Sequence, residues 1–169
     1  MAITLKEENI LDQWSTVLEQ ANGKGQVVIN QIQSYLEASR IPGECRWKME
    51  EIQSSAWLSR VKRESLIVTI DQFKDYRQYI TVRDYGTHLD VSRFMTVEPG
   101  FFKKTISNQL SGSVEALSAP KNILVEQDLR AWMTIVHRAV VHAVEIVMAE
   151  LGQDTSNVKR ESKGYLSVW

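Results

Sequence analysis

Residues 78–93, Gln-Tyr-Ile-Thr-Val-Arg-Asp-Tyr-Gly-Thr-His-Leu-Asp-Val-Ser-Arg, alternate apolar and polar side chains on both sides of a glycine. No other stretch narrows the fold so far. Strand side chains point to opposite faces with period 2, and a two-residue turn is the tightest link between antiparallel strands. With the turn at Tyr85-Gly86, residue 84 faces 87, 82 faces 89, 80 faces 91 and 78 faces 93. One face then carries Ile80, Val82, Leu89 and Val91, a surface fit for a core. The other carries Tyr79 opposite Ser92, Thr81 opposite Asp90, and Arg83 opposite His88. A slip of one residue would bury Arg83 and His88 and expose the apolar set, so the face assignment is strongly specified.

Around this hairpin the sequence predicts more strand. Cys45, Trp47 and Met49 alternate with Arg46, Lys48 and Glu50, and Leu66 to Ile70 is apolar on both faces, as in the interior of a sheet. Residues 56–64 are ambiguous and Asp71 to Asp75 reads as a loop. The expectation is a four-stranded antiparallel meander. N-terminal to it, Thr4-Leu5-Lys6-Glu7 matches a capping box. Leu11, Trp14, Leu18, Ala21, Gly25, Val28, Ile32 and Tyr35 recur at intervals of three and four, a heptad-like stripe. Asn22-Gly23-Lys24-Gly25 interrupts it, which predicts two helices, over about 5–21 and 25–39. Residues 103–121 read largely as a long loop, able to act as a lid. A last helix over about 123–151 would bury Leu129, Trp132, Met133, Val136, Val140, Ala143, Val144, Val147, Met148 and Leu151. Val141 and Ile146 widen its apolar surface beyond one stripe, so it needs cover on more than one side. The whole is an α+β domain over 1–152: an N-terminal helical segment, the meander, and a long C-terminal helix packed on one sheet face. Residues 153–169 form a C-terminal tail ending in Tyr165-Leu166-Ser167-Val168-Trp169, a segment suited to docking in cis or in trans.

Composition removes several classes of function. Twenty basic against twenty-one acidic residues among 169 leave a net charge of −1, without the basic excess of a nucleic-acid binder. The basic cluster Arg40, Arg46, Lys48, Arg60, Lys62 and Arg63 is interleaved with Glu50, Glu51 and Glu64 and reads as a mixed-charge edge. No uninterrupted apolar run reaches a membrane span and the first residues lack a signal-peptide core, so a cytoplasmic protein is expected. The single cysteine, Cys45, forms no internal disulfide and reads as a structural thiol. Phosphate-loop, dinucleotide, nucleophile-elbow and zinc-protease motifs are all missing, and no cofactor or metal is expected.

The candidate ligand-binding residues are Tyr79, Arg83, Tyr85, His88 and Asp90, on the polar face of the hairpin. Opposed and diagonal strand neighbours approach within about 5–8 Å. That would let Asp90 orient a histidine that titrates near neutrality. A solvent-facing strand carries the same residue types for no functional reason. On the last helix, His137 and His142 are five apart and do not share a face, whereas Arg138, His142 and Glu145 do. A single His142-x-x-Glu145 lacks the order and repetition of a carboxylate metal motif and reads as a polar stripe. Two functions fit these features. One is a non-catalytic interaction or assembly module, self-associating through its apolar stripes or binding a protein partner. The other is a small-ligand binder or enzyme using the hairpin's polar face.

Overall fold

In the computed structural model, which describes residues 3–5, 10–54, 62–97 and 123–164, one sheet carries two helices on the same face. The elements in chain order are β1 (Ile3–Leu5), β2 (Ile10–Leu18), α1 (Gly25–Ala38), β3 (Cys45–Ser54), β4 (Lys62–Ile70), β5 (Tyr76–Tyr85), β6 (His88–Val97), α2 (Ile123–Glu150) and β7 (Lys163–Gly164). The sheet has the order β1-β3-β4-β5-β6-β2-β7. The four-stranded meander β3-β4-β5-β6 lies at its centre. It is extended by β2, antiparallel to β6, and by two short strands at the edges. Because β2 and β3 sit on opposite sides of the meander, α1 carries the chain across a sheet face. The sheet is therefore larger than the four strands expected, and there is one N-terminal helix instead of two.

Residues 10–18 correct the sequence expectation most. They form a strand, and the reason lies in a bulge. The pairing of β2 with β6 shifts between Ile10 and Asp12, which turns both Leu11 and Asp12 inward. From there Trp14 and Leu18 are buried while Gln13, Ser15 and Val17 are exposed. One extra residue at a bulge reproduces the 3-then-4 spacing of a helical stripe. Ile10, Trp14, Thr16 and Val17 also favour extended backbone.

The hairpin keeps its faces but not its partners. Tyr85 faces His88, Arg83 faces Asp90, Thr81 faces Ser92, Ile80 faces Arg93 and Tyr79 faces Phe94. The turn is Gly86-Thr87, one residue later than expected, and every opposed pair moves by two. Gly86 has φ +63° and takes the first central position, where a two-residue turn of type II′ demands positive φ. A shift of two preserves parity. Ile80, Leu89 and Val91 are accordingly buried against the helices and Val82 is half-buried.

On the helix-bearing face, Leu66, Val68 and Ile70 of β4 and Met95 and Val97 of β6 meet Val28, Ile29, Ile32 and Leu36 of α1. The same core takes Leu129, Trp132, Met133, Val136, Val140, Ala143, Val144 and Val147 of α2. Each buried Val, Leu, Ile or Met among them contributes about 1.5–3 kcal/mol. By length and composition α2 could cross a membrane, but its apolar side packs on this sheet and on α1. Met148 and Leu151 are half-buried, and His137, Ala139 and Val141 join the buried set. A smaller cluster of Ile52, Ile67 and Tyr79, with Phe94 against it, occupies the other face. The expected loop at 103–121 and the terminal Tyr165–Trp169 segment lie outside the described residues.

Candidate functional site

The sheet's helix face carries a polar group where an apolar one belongs. Arg93 is in phase with Leu89 and Val91 and is wholly buried, as is Asp12 from the neighbouring strand. Arg93 donates through Nη1 to Asp12 Oδ2 at 2.7 Å and through Nε to Gln78 Oε1 at 2.8 Å. Ser162 Oγ, from the C-terminal segment, donates to Asp12 Oδ1 at 2.8 Å. Burial pulls the Arg93 guanidinium below its ordinary range, while the Asp12 carboxylate opposes that shift. The second guanidinium nitrogen, Nη2, and Gln78 Nε2 have no partner. Buried ion pairs of this kind gain little net stability, but removing one member leaves an uncompensated charge.

Residues 153–164 run back across the sheet edge as a strap. Gln153 donates to the Glu19 carbonyl, and Trp14 Nε1 donates to the Lys159 carbonyl at 2.6 Å. His137 Nε2 lies 2.6 Å from the Arg160 carbonyl. A carbonyl only accepts, so Nε2 carries the proton and Nδ1 is the bare nitrogen of the neutral ring. Nδ1 is buried without a partner. The ring meets Trp14 edge-on, with centroids 5.7 Å apart. Burial is the main cause that holds the His137 imidazole below its ordinary range. Arg93 and Arg138 push the same way, and the Arg160 carbonyl and Asp12 push against it. The Arg160 side chain grips Glu145 Oε1 through Nε at 3.1 Å and Nη2 at 2.8 Å.

Between α1, α2 and this strap is a cleft of about 480 Å³, lined by Tyr35, His137, Arg138, Val141, His142, Glu145, Arg160 and Glu161. Its size falls in the range of small-molecule sites, about 300–1,000 Å³. The two histidines do not share a helix face, as expected, yet both border this one cleft. The stripe of Arg138, His142 and Glu145 forms its α2 wall, and Glu145 finds its ion-pair partner on the strap. Tyr35 of α1 closes the other side, its ring 5.4 Å from that of His142.

The residues singled out on the hairpin are partly brought together. Arg83 Nε donates to Asp90 Oδ2 at 2.9 Å, and Ser92 Oγ donates to Asp90 Oδ1 at 3.2 Å. The Arg83 guanidinium carbon lies 5.1 Å from the centre of the Tyr85 ring. His88 stands opposite Tyr85, not opposite Arg83. Tyr79 is buried in the small apolar cluster, four residues along the strand from Arg83.

The remaining sequence candidates have local explanations. Arg46 pairs with Glu44 and Asp71, Lys48 with Glu50, and Lys62 with Glu51, a mixed-charge edge among the described residues; Arg60 lies outside them. The Cys45 thiol is half-buried beside Trp132, and burial pushes it up despite that neighbour. Among the described residues no cluster of histidine, cysteine and carboxylate groups could hold a metal ion. Asp12, Gln78 and Arg93 were missed, as were Arg160 and Glu161 of the strap. The period-2 pattern places Gln78 and Arg93 on the core face, and a polar residue in phase with Leu89 and Val91 was the available signal.

Comparison with protein-family models, with curated proteins and with solved structures finds no match for the chain.

Proposed function

We propose that this chain is a small-ligand-binding domain whose site is the cleft between α1, α2 and the strap. The observation that carries this reading is the cleft itself: ligand-sized, framed by two helices, and walled by side chains from three separate segments. Concave sites with an apolar body and a few polar groups are where small molecules bind. The residues that close it are held by rigid helices or by a strap fixed at several points, so little ordering remains to be done on binding.

The hairpin's polar face supports a small-ligand site less well. Its arginine and aspartate already satisfy each other, and Tyr79 is withdrawn from the group. The assembly module rested on two apolar stripes and on the aromatic C-terminal end, Tyr165–Trp169, which lies outside the described residues. One stripe is divided between β2 and α1, and the other, on α2, meets the sheet and α1 of the same chain. A fragment screen followed by amide chemical-shift mapping separates the readings. Binding in the cleft moves the signals of Tyr35, Val141, His142 and Glu161 together. Shifts confined to 83–90, or no shifts with any fragment, would refute the cleft as the site.

A further inference from the structure

We infer that the cleft takes a planar, apolar anion: an aromatic carboxylate or sulfonate whose ring lies along Tyr35 and His142 and whose acid group meets the Arg138 guanidinium. The inference rests on the ligand-binding reading above and adds the chemistry of the ligand.

Five side chains of α2 border the cleft, the buried His137 and those at positions 138, 141, 142 and 145. The spacing of the last four keeps them on one helix face, along about 10 Å of its length. Two cations border the same space. Arg160 is committed to Glu145 through two nitrogens, and the pair is neutral as a unit. Arg138 is exposed and makes no ion pair or hydrogen bond among the described residues, so its planar, five-donor fork is free for an incoming acid group.

Glu161 is the one carboxylate that could oppose this. It also borders a second cleft, of about 330 Å³, on the other side of the strap, together with Lys159 and Lys163. Glu161 is thus on the ridge between the two clefts, and the lysines two residues to either side border the second cleft with it. The two helix walls of the larger cleft thus offer one uncommitted positive charge, Arg138, beside Val141 and the rings of Tyr35, His137 and His142. Charge at one end and a ring-lined, mostly carbon wall behind it select a flat apolar body with one acidic group.

The test titrates the full chain, by calorimetry, with two dyes of similar aromatic framework. One is 1-anilinonaphthalene-8-sulfonate, which is anionic, and the other is N-phenyl-1-naphthylamine, which is neutral. The anionic dye should bind one per chain and more tightly than the neutral one. Arg138→Gln should weaken the anionic dye about tenfold, the loss of one charge-assisted contact, and leave the neutral dye within about twofold. Arg138→Lys should recover part of that loss. His142→Trp, at an exposed position on the cleft wall, should fill the space and block both dyes. If both dyes bind and His142→Trp blocks them but Arg138→Gln changes nothing, the cleft stands and the anion inference is overturned. If neither dye binds the native chain, or if His142→Trp leaves binding intact, the cleft reading falls with it.

Discussion

Arg83 and Arg93 belong to one hairpin, and each meets an aspartate, Asp90 at 2.9 Å and Asp12 at 2.7 Å. The distances are alike but the surroundings are not. The side chain of Arg83 is 38% exposed and that of Asp90 18%, whereas those of Arg93 and Asp12 are at 0%. Water screens the first pair, and such pairs contribute about 0–1 kcal/mol. Removing one member of the second strands a charge in the core and costs about 3–5 kcal/mol. Urea denaturation should therefore find Arg83→Ala nearly as stable as the parent and Arg93→Met severely destabilised. Combining Asp12→Asn with Arg93→Met should return part of the loss, because asparagine keeps the oxygen that Ser162 binds without the stranded charge. Equal losses for the two single arginine variants, or strictly additive losses in the double variant, would contradict this account. Arg93 was legible in the sequence as a core-face position. Its partner was not, because Asp12 lies 81 residues away and no local pattern reports a contact at that separation.

The strap shows how an element with almost no apolar surface is held in place. Val158 is its one buried apolar side chain, and the rest of its attachment is polar. Its end, β7, approaches β2 so closely that a Cβ at Gly164 would lie 2.2 Å from the Leu11 carbonyl oxygen and 2.6 Å from Asp12 Cα. Those are backbone atoms and cannot rotate away. Gly164→Ala should detach β7 at a cost of about 1–3 kcal/mol. Hydrogen exchange would read this as faster exchange at Lys163 and Gln13, with the hairpin and α2 unchanged. Unaltered exchange at those two amides would show that the close approach is not needed. The elements differ in how far sequence reveals them. The α2 stripe was legible through its helical period, and the central meander through the alternation of β3, β5 and β6 and the apolar run of β4. β2 was not, since its bulge converts a period of 2 into a spacing that a helix shares. The cleft was legible only as separate residues, because Tyr35, the α2 stripe and the strap meet through tertiary packing.

At the scale of the whole molecule, one buried ring links core, cleft and strap. His137 is 1% exposed, with Nε2–H committed to the Arg160 carbonyl and Nδ1 without a partner. A proton added at Nδ1 would have no acceptor and would join the Arg93 charge in the same interior. Burial and the two arginines keep the folded pKa below that of a free histidine, about 6.5. The sign follows from proton counting. Above about pH 6.5 neither folded nor unfolded chain is protonated at this ring, and its contribution to stability is complete. Below that pH the unfolded chain takes up a proton that the folded chain refuses, so stability falls until the folded pKa is reached. Stability to heat should therefore fall as pH drops from about 7.5 toward 5, with the strap among the first parts to lose protection. His137→Gln keeps an N–H for the Arg160 carbonyl and removes the titration. It should flatten the dependence of Tm on pH in that window relative to the parent, whatever it does to stability at neutral pH. An unchanged slope would mean that other groups govern the acid response and that His137 is only a packing residue beneath the strap.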